Sequence, residues 1–129
     1  CGVYRLLRPR GPLDSPEFIA GAALEGLVYQ DLRAMNHYLD WEYEFFTWRT
    51  QSKIEVDLVL YGPKGLHALE VKHSSRVRKE DLRGLIEFKK DYPSAQVYFL
   101  YRGTESRVEN EVQIIPVENF LKEQKKYLS

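Results

Sequence analysis

Apolar positions change their spacing several times along the 129-residue chain. In the segment 16–38, apolar side chains recur every three or four residues, which predicts a helix. Ser15 stands directly before Pro16 and Glu17, and this combination is typical of a helix N-terminus because proline and acidic residues favour the first turn. We therefore expect the first helix to begin after an N-cap at Ser15 and to end near residue 38.

Three segments rich in aromatic and β-branched residues follow this helix. They comprise residues 43–50, 53–61 and 66–72, and the short sequences Gln-Ser and Gly-Pro-Lys-Gly separate them. Aromatic and β-branched residues favour strands, whereas glycine and proline favour tight turns. The pattern predicts a three-stranded meander.

Helical spacing returns between residues 78 and 92, and Pro93 marks the end of this second helix. Residues 95–101 are a strand sequence, residues 111–116 are another, and an amphipathic helix sequence follows them. The predicted order is helix, three-strand meander, helix and strand, with an appended strand and C-terminal helix. This order places the chain in the α/β class.

The start of the chain differs from the rest, because it combines glycine, proline and arginine without a sustained period. We interpret residues 1–14 as a linker or arm and residues 15–129 as one domain. The sequence does not begin with methionine, which suggests a fragment of a longer protein.

Composition narrows the class of protein. Hydrophobic residues make up 43% of the chain, and nine Tyr, six Phe and two Trp exclude a disordered protein. Lys plus Arg and Asp plus Glu are balanced at 19 each, so local clusters of charge must decide about a nucleic-acid partner. The single cysteine, Cys1, excludes an internal disulfide, and no Cys/His spacing fits a zinc site. Because membrane-span and signal sequences are absent, we expect a soluble, cytoplasmic protein without a membrane partner.

Charged residues interrupt the apolar runs of the second and third predicted strands. Alternation along a strand places Asp57 on the face opposite Val56 and Leu58, and it places Glu70 on the same face as Lys72. Pairing of these strands brings Asp57 close to the register of Glu70. Two carboxylates at this separation repel each other, which raises a pKa or requires a cation. Because Mg²⁺ accepts carboxylate and phosphate oxygens, the patch suits metal-assisted phosphodiester hydrolysis, with Lys72 orienting the nucleophile.

The spacing of Asp57 to the Glu-Val-Lys sequence at 70–72, with an acidic residue in a preceding helix, resembles the PD-(D/E)XK nuclease superfamily. The resemblance implies a restriction-endonuclease-like core over most of the chain. It implies that Asp57, Glu70, Glu25 and the main-chain carbonyl of Val71 are ligands of Mg²⁺ or Mn²⁺. It also implies that the two strand acids and Lys72 are the catalytic residues.

Four longer stretches are similar to the C-terminal domain that follows the ATPase module in a large group of bacterial and archaeal ATP-binding proteins. They are GAALEGLVYQDLRA, FFTWRTQSKIEVDLVLYGPKG, ALEVKHSSRVRKEDLRGL and DYPSAQVYFLYRG. This resemblance implies an upstream ATPase module in the same polypeptide, and the chain itself contains no GxxxxGK[ST] loop for ATP. The chain departs from the nuclease pattern in two places: Val56 replaces the usual proline, and residues 73–94 contain no glutamine.

The same charged residues also have a structural interpretation. Asp57 and Glu70 could be ordinary ion-pair partners of Lys72, Lys53 or Arg49. The helix acid could lie at the edge of its apolar face and be solvated. The histidines have no spacing that suggests a ligand set, so we expect them at the surface or at strand edges: His37, His67 and His73.

Basic residues cluster between positions 72 and 90, where seven Lys or Arg stand against three acidic residues. Arg76, Arg78 and Lys79 are candidates for contacts with DNA phosphates, because such contacts dominate the affinity of proteins for DNA. Solvated helix faces have a similar composition, so the cluster also fits an ordinary surface.

Two functional hypotheses follow from the sequence. The first is a metal-dependent nuclease, or a nuclease-derived DNA-binding module, at the C-terminus of an ATPase. The second is a catalytically inactive interaction or regulatory domain that docks to the ATPase module, to a protein partner or to another protomer. The sequence leaves open whether the domain is an enzyme, which nucleic acid it binds and which oligomer it forms.

Overall fold

The computed structural model describes residues 16–52 and 54–129. The predicted N-cap at Ser15 and the predicted linker of residues 1–14 therefore lie outside the described residues. No helix within the described part of the chain is both long and apolar enough to cross a membrane.

Helices and strands follow each other along the chain largely in the order that the spacing of apolar residues predicts. The elements are α1 (Pro16–Tyr38), β1 (Glu44–Arg49), β2 (Glu55–Gly62), β3 (Gly65–Val71), a 3₁₀ turn (Lys79–Leu82), α2 (Arg83–Asp91), β4 (Gln96–Tyr101), β5 (Arg107–Glu109), β6 (Val112–Pro116), α3 (Val117–Lys122) and α4 (Gln124–Leu128). The predicted helix at 16–38 is confirmed, and the predicted helix at 78–92 divides into the 3₁₀ turn and α2. The sequence does not predict the short strand β5, because three residues are too few to show alternation.

The strands form one mixed sheet in the order β1-β2-β3-β4-β6-β5. Strands β1, β2 and β3 are joined antiparallel, which confirms the predicted meander. Strand β4 runs parallel to β3 and β6 runs parallel to β4, whereas β5 returns antiparallel along β6. The described residues are thus a mixed α/β fold with a six-stranded sheet and four helices.

Each face of the sheet carries its own hydrophobic core. One core packs sheet residues against α1, α3 and α4, and we call this side the α1 face; its sheet residues include Leu58, Leu60, Leu69, Tyr98 and Leu100. The other core packs against α2, and we call this side the α2 face; its sheet residues include Trp48, Val56, Val59, Ala68 and Phe99. Because both faces are covered, the central strands are apolar on both sides.

A β-bulge interrupts β2 at the position of the candidate acid. Phe46 pairs with Val59, but Trp48 pairs with Val56, so β2 contains one more residue than β1 over this interval. The bulge changes the alternation of side chains along β2. The expectation that Val56 shares a face with Leu58 is therefore wrong: Val56 packs in the core on the α2 face, and Leu58 packs on the α1 face.

His67 corrects a second expectation, because it is buried in β3 and not at the surface. Its Nε2 atom lies 3.1 Å from the hydroxyl of Tyr43, and its Nδ1 atom lies 3.3 Å from the hydroxyl of Tyr98. The two hydroxyls donate to the backbone carbonyls of Leu128 and Tyr127, which ties α4 to the sheet. Burial lowers the pKa of His67 to about 4, so the ring is neutral at physiological pH. The other histidines, His37 and His73, are exposed as expected.

Gly84 permits α2 to approach the sheet beside the bulge. A Cβ atom at this position would collide with the backbone carbonyl oxygen of Glu55 at the start of β2. Because the obstructing atom is backbone, it cannot move without displacing β2. A residue larger than glycine would therefore separate α2 from β2.

We expect Gly84→Ala to lower the free energy of unfolding by about 1–3 kcal/mol, the usual cost of overpacking. Gly26→Ala in α1 is the matched control, because a Cβ atom at Gly26 meets nothing within 4 Å. Alanine is the better helix former, so the control should be neutral or stabilising by up to about 1 kcal/mol. Thermal and urea unfolding of both variants measure the difference. Equal stability of the two variants would contradict the close approach of α2.

Candidate functional site

Asp57 and Glu70 lie opposite each other on neighbouring strands. Leu58 pairs with Leu69 in the antiparallel register of β2 and β3, so the next step along that register places Asp57 across from Glu70. The bulge in β2 displaces Asp57 from regular alternation at this point. Sequence reasoning predicts the proximity of these two acids but contains no sign of the bulge.

The two carboxyl groups interact directly. The side chains of Asp57 and Glu70 are hydrogen-bonded, and the backbone of Asp57 also forms a hydrogen bond with the carboxyl group of Glu70. Burial is the largest cause that raises the pKa of Glu70 well above its usual value, and the charge of Asp57 raises it further. A proton shared between the two groups removes their repulsion. Burial and the charge of Asp57 therefore both favour the protonated form of Glu70.

Glu25 is the third acid that acts at this position. It lies on α1 and is partly buried, and its charge also raises the pKa of Glu70. One turn earlier on α1, a Cβ atom at Gly21 would lie 4.0 Å from Cβ of His73, which follows the end of β3. The helix thus passes over the carboxyl end of β3 and brings Glu25 towards the two strand acids.

Lys72 forms an ion pair that the sequence does not predict. Its Nζ atom lies 2.7 Å from Oδ1 of Asp81, whose side chain is only 11% exposed. The structural interpretation of the sequence names Lys72 as one of three cations that could pair with Asp57 or Glu70, so Asp81 is an addition to the site. The backbone N–H of Lys72 continues the parallel ladder by donating to the carbonyl of Leu100.

Asp81 also organises the segment between β3 and α2. Its Oδ2 atom accepts a hydrogen bond of 2.8 Å from the backbone N–H of Arg78, and its own N–H donates to the carbonyl of Arg78. The first of these bonds is half of a capping box, in which an acid three residues into a helix accepts from the backbone N–H of the residue before it. The second is the ordinary bond of a 3₁₀ turn, because the arginine side chain has no acceptor for the other half. The sequence signal for this role is weak, because Arg78 is not one of the residue types that favour the N-cap position.

The predicted nucleic-acid contacts lie in this same segment and are exposed. Arg78 makes an exposed ion pair of 3.5 Å with Glu80, and Arg76 donates its backbone N–H to the hydroxyl of Ser74. Lys79 begins the 3₁₀ turn. The three cations therefore occupy one short stretch that begins just past the carboxyl end of β3.

Arg49 and Lys53 are the other two cations that the structural interpretation names. Arg49 pairs with Glu55 at 2.9 Å, an exposed cross-strand ion pair at the edge of the sheet. Lys53 lies outside the described residues. The ion pairs of Arg49 and Lys72 described above thus use Glu55 and Asp81, whereas Asp57 and Glu70 bond to each other.

The donor set determines which ion the site could hold. Among residues 16–52 and 54–129, no group of three or more His, Cys, Asp or Glu side chains is arranged to hold a metal ion. Asp57 and Glu70 nevertheless supply two adjacent carboxyl groups, and Val71 follows directly in β3. Mg²⁺ is bound by one or two carboxylates and several waters, so these donors fit a hard divalent cation once the shared proton has left.

The fold and this pair of acids define a mixed α/β domain with a paired-carboxyl centre beside a basic segment. Residues 20–120 match the family described as "Domain of unknown function (DUF4143)". Because the match covers most of the chain, the protein belongs to this family, a domain commonly found in ATP-binding proteins. A comparison with curated proteins found no match.

Glu70→Gln should change how stability depends on pH. The pKa of Glu70 is raised in the folded state, so its contribution to stability is largest below its unfolded pKa of about 4.3 and is lost as pH rises towards the folded pKa. Glutamine does not titrate, so we expect the variant to gain stability relative to the wild type as pH rises above about 4.3. Urea unfolding across this range measures the gain.

Glu118→Gln controls for the loss of one negative charge, because Glu118 is exposed on α3. If Glu70→Gln and Glu118→Gln show the same pH trend, the carboxyl pair does not share a proton in the folded protein.

Proposed function

We propose that this domain is a divalent-metal-dependent nuclease, or a nucleic-acid-binding module derived from one, that works beside an ATPase module of the same polypeptide. The hydrogen-bonded carboxyl pair of Asp57 and Glu70 carries the proposal. Two carboxyl groups that retain a proton between them are a poor structural feature, because one of them must be kept from its preferred charged form. A cation that replaces the proton would allow both carboxyl groups to be charged, and metal binding would then explain why the two acids lie together.

The topology supports a PD-(D/E)XK nuclease-like domain over residues 15–129, with residues 1–14 as a linker. That resemblance implies a helix, an antiparallel meander, a helix and a further strand, and the elements α1 to β4 follow this order. The acids stand on the second and third strands of the meander, where the resemblance implies them. A restriction-endonuclease-like core is therefore part of the proposal.

Each residue has a defined part in the proposed site. The carboxylates of Asp57 and Glu70 and the main-chain carbonyl of Val71 would hold Mg²⁺ or Mn²⁺, and Glu25 would add negative charge. The bound ion would supply Lewis-acid stabilisation of a phosphodiester and activation of water. Lys72, which follows Val71, would orient the attacking water and stabilise charge on the phosphate.

The basic segment supports DNA as the substrate class. Arg76, Arg78 and Lys79 lie within a few residues of Lys72, so phosphates bound there would lie close to the proposed metal site. The occurrence of this family in ATP-binding proteins supports an upstream ATPase module as the physical partner of the domain.

A second candidate function is a catalytically inactive interaction domain. Two observations favour it: Lys72 is already paired with Asp81, and Asp57 is already bonded to Glu70. Both charged groups could then be parts of a stable scaffold that docks to the ATPase module or to a protein partner. Measurements of metal binding and of DNA cleavage distinguish the nuclease from the interaction domain.

Metal binding is the first test. We expect Mn²⁺ and Mg²⁺ to bind the wild type with measurable heat and to raise its melting temperature, and Asp57→Ala to abolish both effects. Binding should strengthen as pH rises, because the cation must displace the proton of Glu70. Glu118→Gln again serves as the control for charge. Equal heats from wild type and Asp57→Ala would leave the two acids as structural residues.

Cleavage by the full-length protein is the second test. With Mn²⁺ or Mg²⁺ and ATP, we expect hydrolysis of single-stranded, duplex or branched DNA, and at least about a hundredfold loss of rate in Lys72→Ala. Lys64→Ala, at an exposed lysine in the turn between β2 and β3, should retain the rate. Cleavage that survives in Lys72→Ala would point to a different site.

Absence of cleavage on every substrate would favour the interaction domain, and DNA affinity would then decide between its forms. Neutralising Arg76, Arg78 and Lys79 should weaken a true DNA complex and should reduce the slope of its salt dependence by about one for each phosphate that is no longer bound. If DNA does not bind at all, docking to a protein remains as the function.

A further inference from the structure

The outer edge of β1 is an unpaired edge of the sheet. Strand β1 pairs with β2 on one side and stands first in the strand order, so no strand of the described residues lies along its other side. Exposed edges present backbone N–H and C=O groups that can pair with another strand. The sequence of β1, Glu-Phe-Phe-Thr-Trp-Arg, is rich in the residues that favour such pairing.

The hydrogen bond of Thr50 shows which backbone groups of β1 point outward. Thr50 donates its N–H to the carbonyl of Ile54 on the β2 side. Because successive residues alternate in direction, Phe45, Thr47 and Arg49 direct their N–H and C=O groups away from β2. This outward row ends before Tyr43, whose N–H and C=O are both bonded to the side chain of Asn36. The centre of the outward row is therefore Thr47.

A cavity of about 550 Å³ adjoins this edge on the α2 face. Tyr61 and Tyr92, which are 58% and 40% exposed, both border it. Most of the other lining side chains are apolar: Phe46, Trp48, Val59, Leu66 and Phe88. Large exposed aromatic side chains next to an unpaired strand mark a surface that another protein can cover.

We propose that a second copy of this chain occupies the edge, with the two β1 strands paired antiparallel about a twofold axis at Thr47. The axis is perpendicular to the sheet, so the α1 faces of the two copies lie on one side and their α2 faces on the other. Each side chain therefore lies beside a side chain that projects from the same face of the second copy. Thr47 then lies opposite Thr47 of the second copy, and Phe45 lies opposite Arg49 of the second copy. The N–H and C=O groups of the outward row find partners in this register.

The side chains also match in this register. On the α2 face, Phe46 lies opposite Trp48 of the second copy, and aromatic pairs across strands stabilise a sheet. These residues line the cavity, so each copy narrows the open side of the cavity of the other. Because one aromatic pair of β1 meets itself twice about the axis, this match favours a second copy over an unrelated strand.

Light scattering and sedimentation of the full chain test the proposal. We expect the wild type to have twice the mass of one chain at high concentration and to dissociate on dilution. Thr47→Pro removes an outward N–H without removing a bond to β2, since proline is tolerated where the N–H faces away from the sheet. The dimer of this variant should be weakened by at least about tenfold.

Thr47→Val is the matched control, because it keeps the outward N–H and removes the same hydroxyl contact to Asp57 that Thr47→Pro removes. It should remain dimeric with an unchanged dissociation constant. A wild type that stays monomeric, or two variants that dissociate equally, would overturn the proposal. Circular dichroism and melting curves confirm that both variants are folded.

Cross-linking tests the register separately. In a Cys1→Ser background, Thr47→Cys should form a disulfide-linked dimer under mild oxidation, because residues in such a pair have Cα atoms about 5.5 Å apart. Val108→Cys, on the exposed strand β5 at the opposite edge of the sheet, is the control and should remain monomeric. Equal cross-linking at the two edges would exclude a specific β1 interface.

Discussion

Two carboxyl groups on neighbouring strands can hydrogen-bond to each other only while a proton remains between them. The candidate site of this domain depends on that constraint. Asp57 and Glu70 meet at a bulge in β2, under a helix that adds the charge of Glu25. Burial and the neighbouring negative charges therefore both raise the pKa of Glu70. The rest of the site follows from its position on β3, since Lys72 extends from the same strand towards Asp81.

The sequence predicts most of the architecture because its signals are local. The helix at 16–38, the meander and the strand at 96–101 each have an uninterrupted period, and turn residues mark their ends. Strand β5 is too short to show a period. The burial of His67 could not be predicted, because it depends on hydroxyls contributed by β4 and by the residue before β1, and on carbonyls of α4, all distant in sequence.

The sequence predicts the members of the candidate site but not their contacts. The approach of Asp57 to Glu70 follows from strand pairing around a tight turn, whereas the bulge depends on the register of β1 and cannot be recognised in the apolar pattern of the β2 sequence. The ion-pair partner of Lys72 could not be predicted for a different reason. Asp81 stands nine residues further on, in a segment whose apolar spacing predicts a helix and says nothing about which lysine the carboxylate of Asp81 will bind.

The hydrogen bond from Tyr43 to the carbonyl of Leu128 has a consequence for synthesis on the ribosome. These residues are 85 positions apart, so this hydrogen bond cannot form until Leu128 has emerged. Contacts between such distant residues slow folding, because a long loop must close before they form. We therefore expect nascent chains to hold the meander in an incomplete state and to complete the core beneath α4 only after residue 128 has left the ribosome.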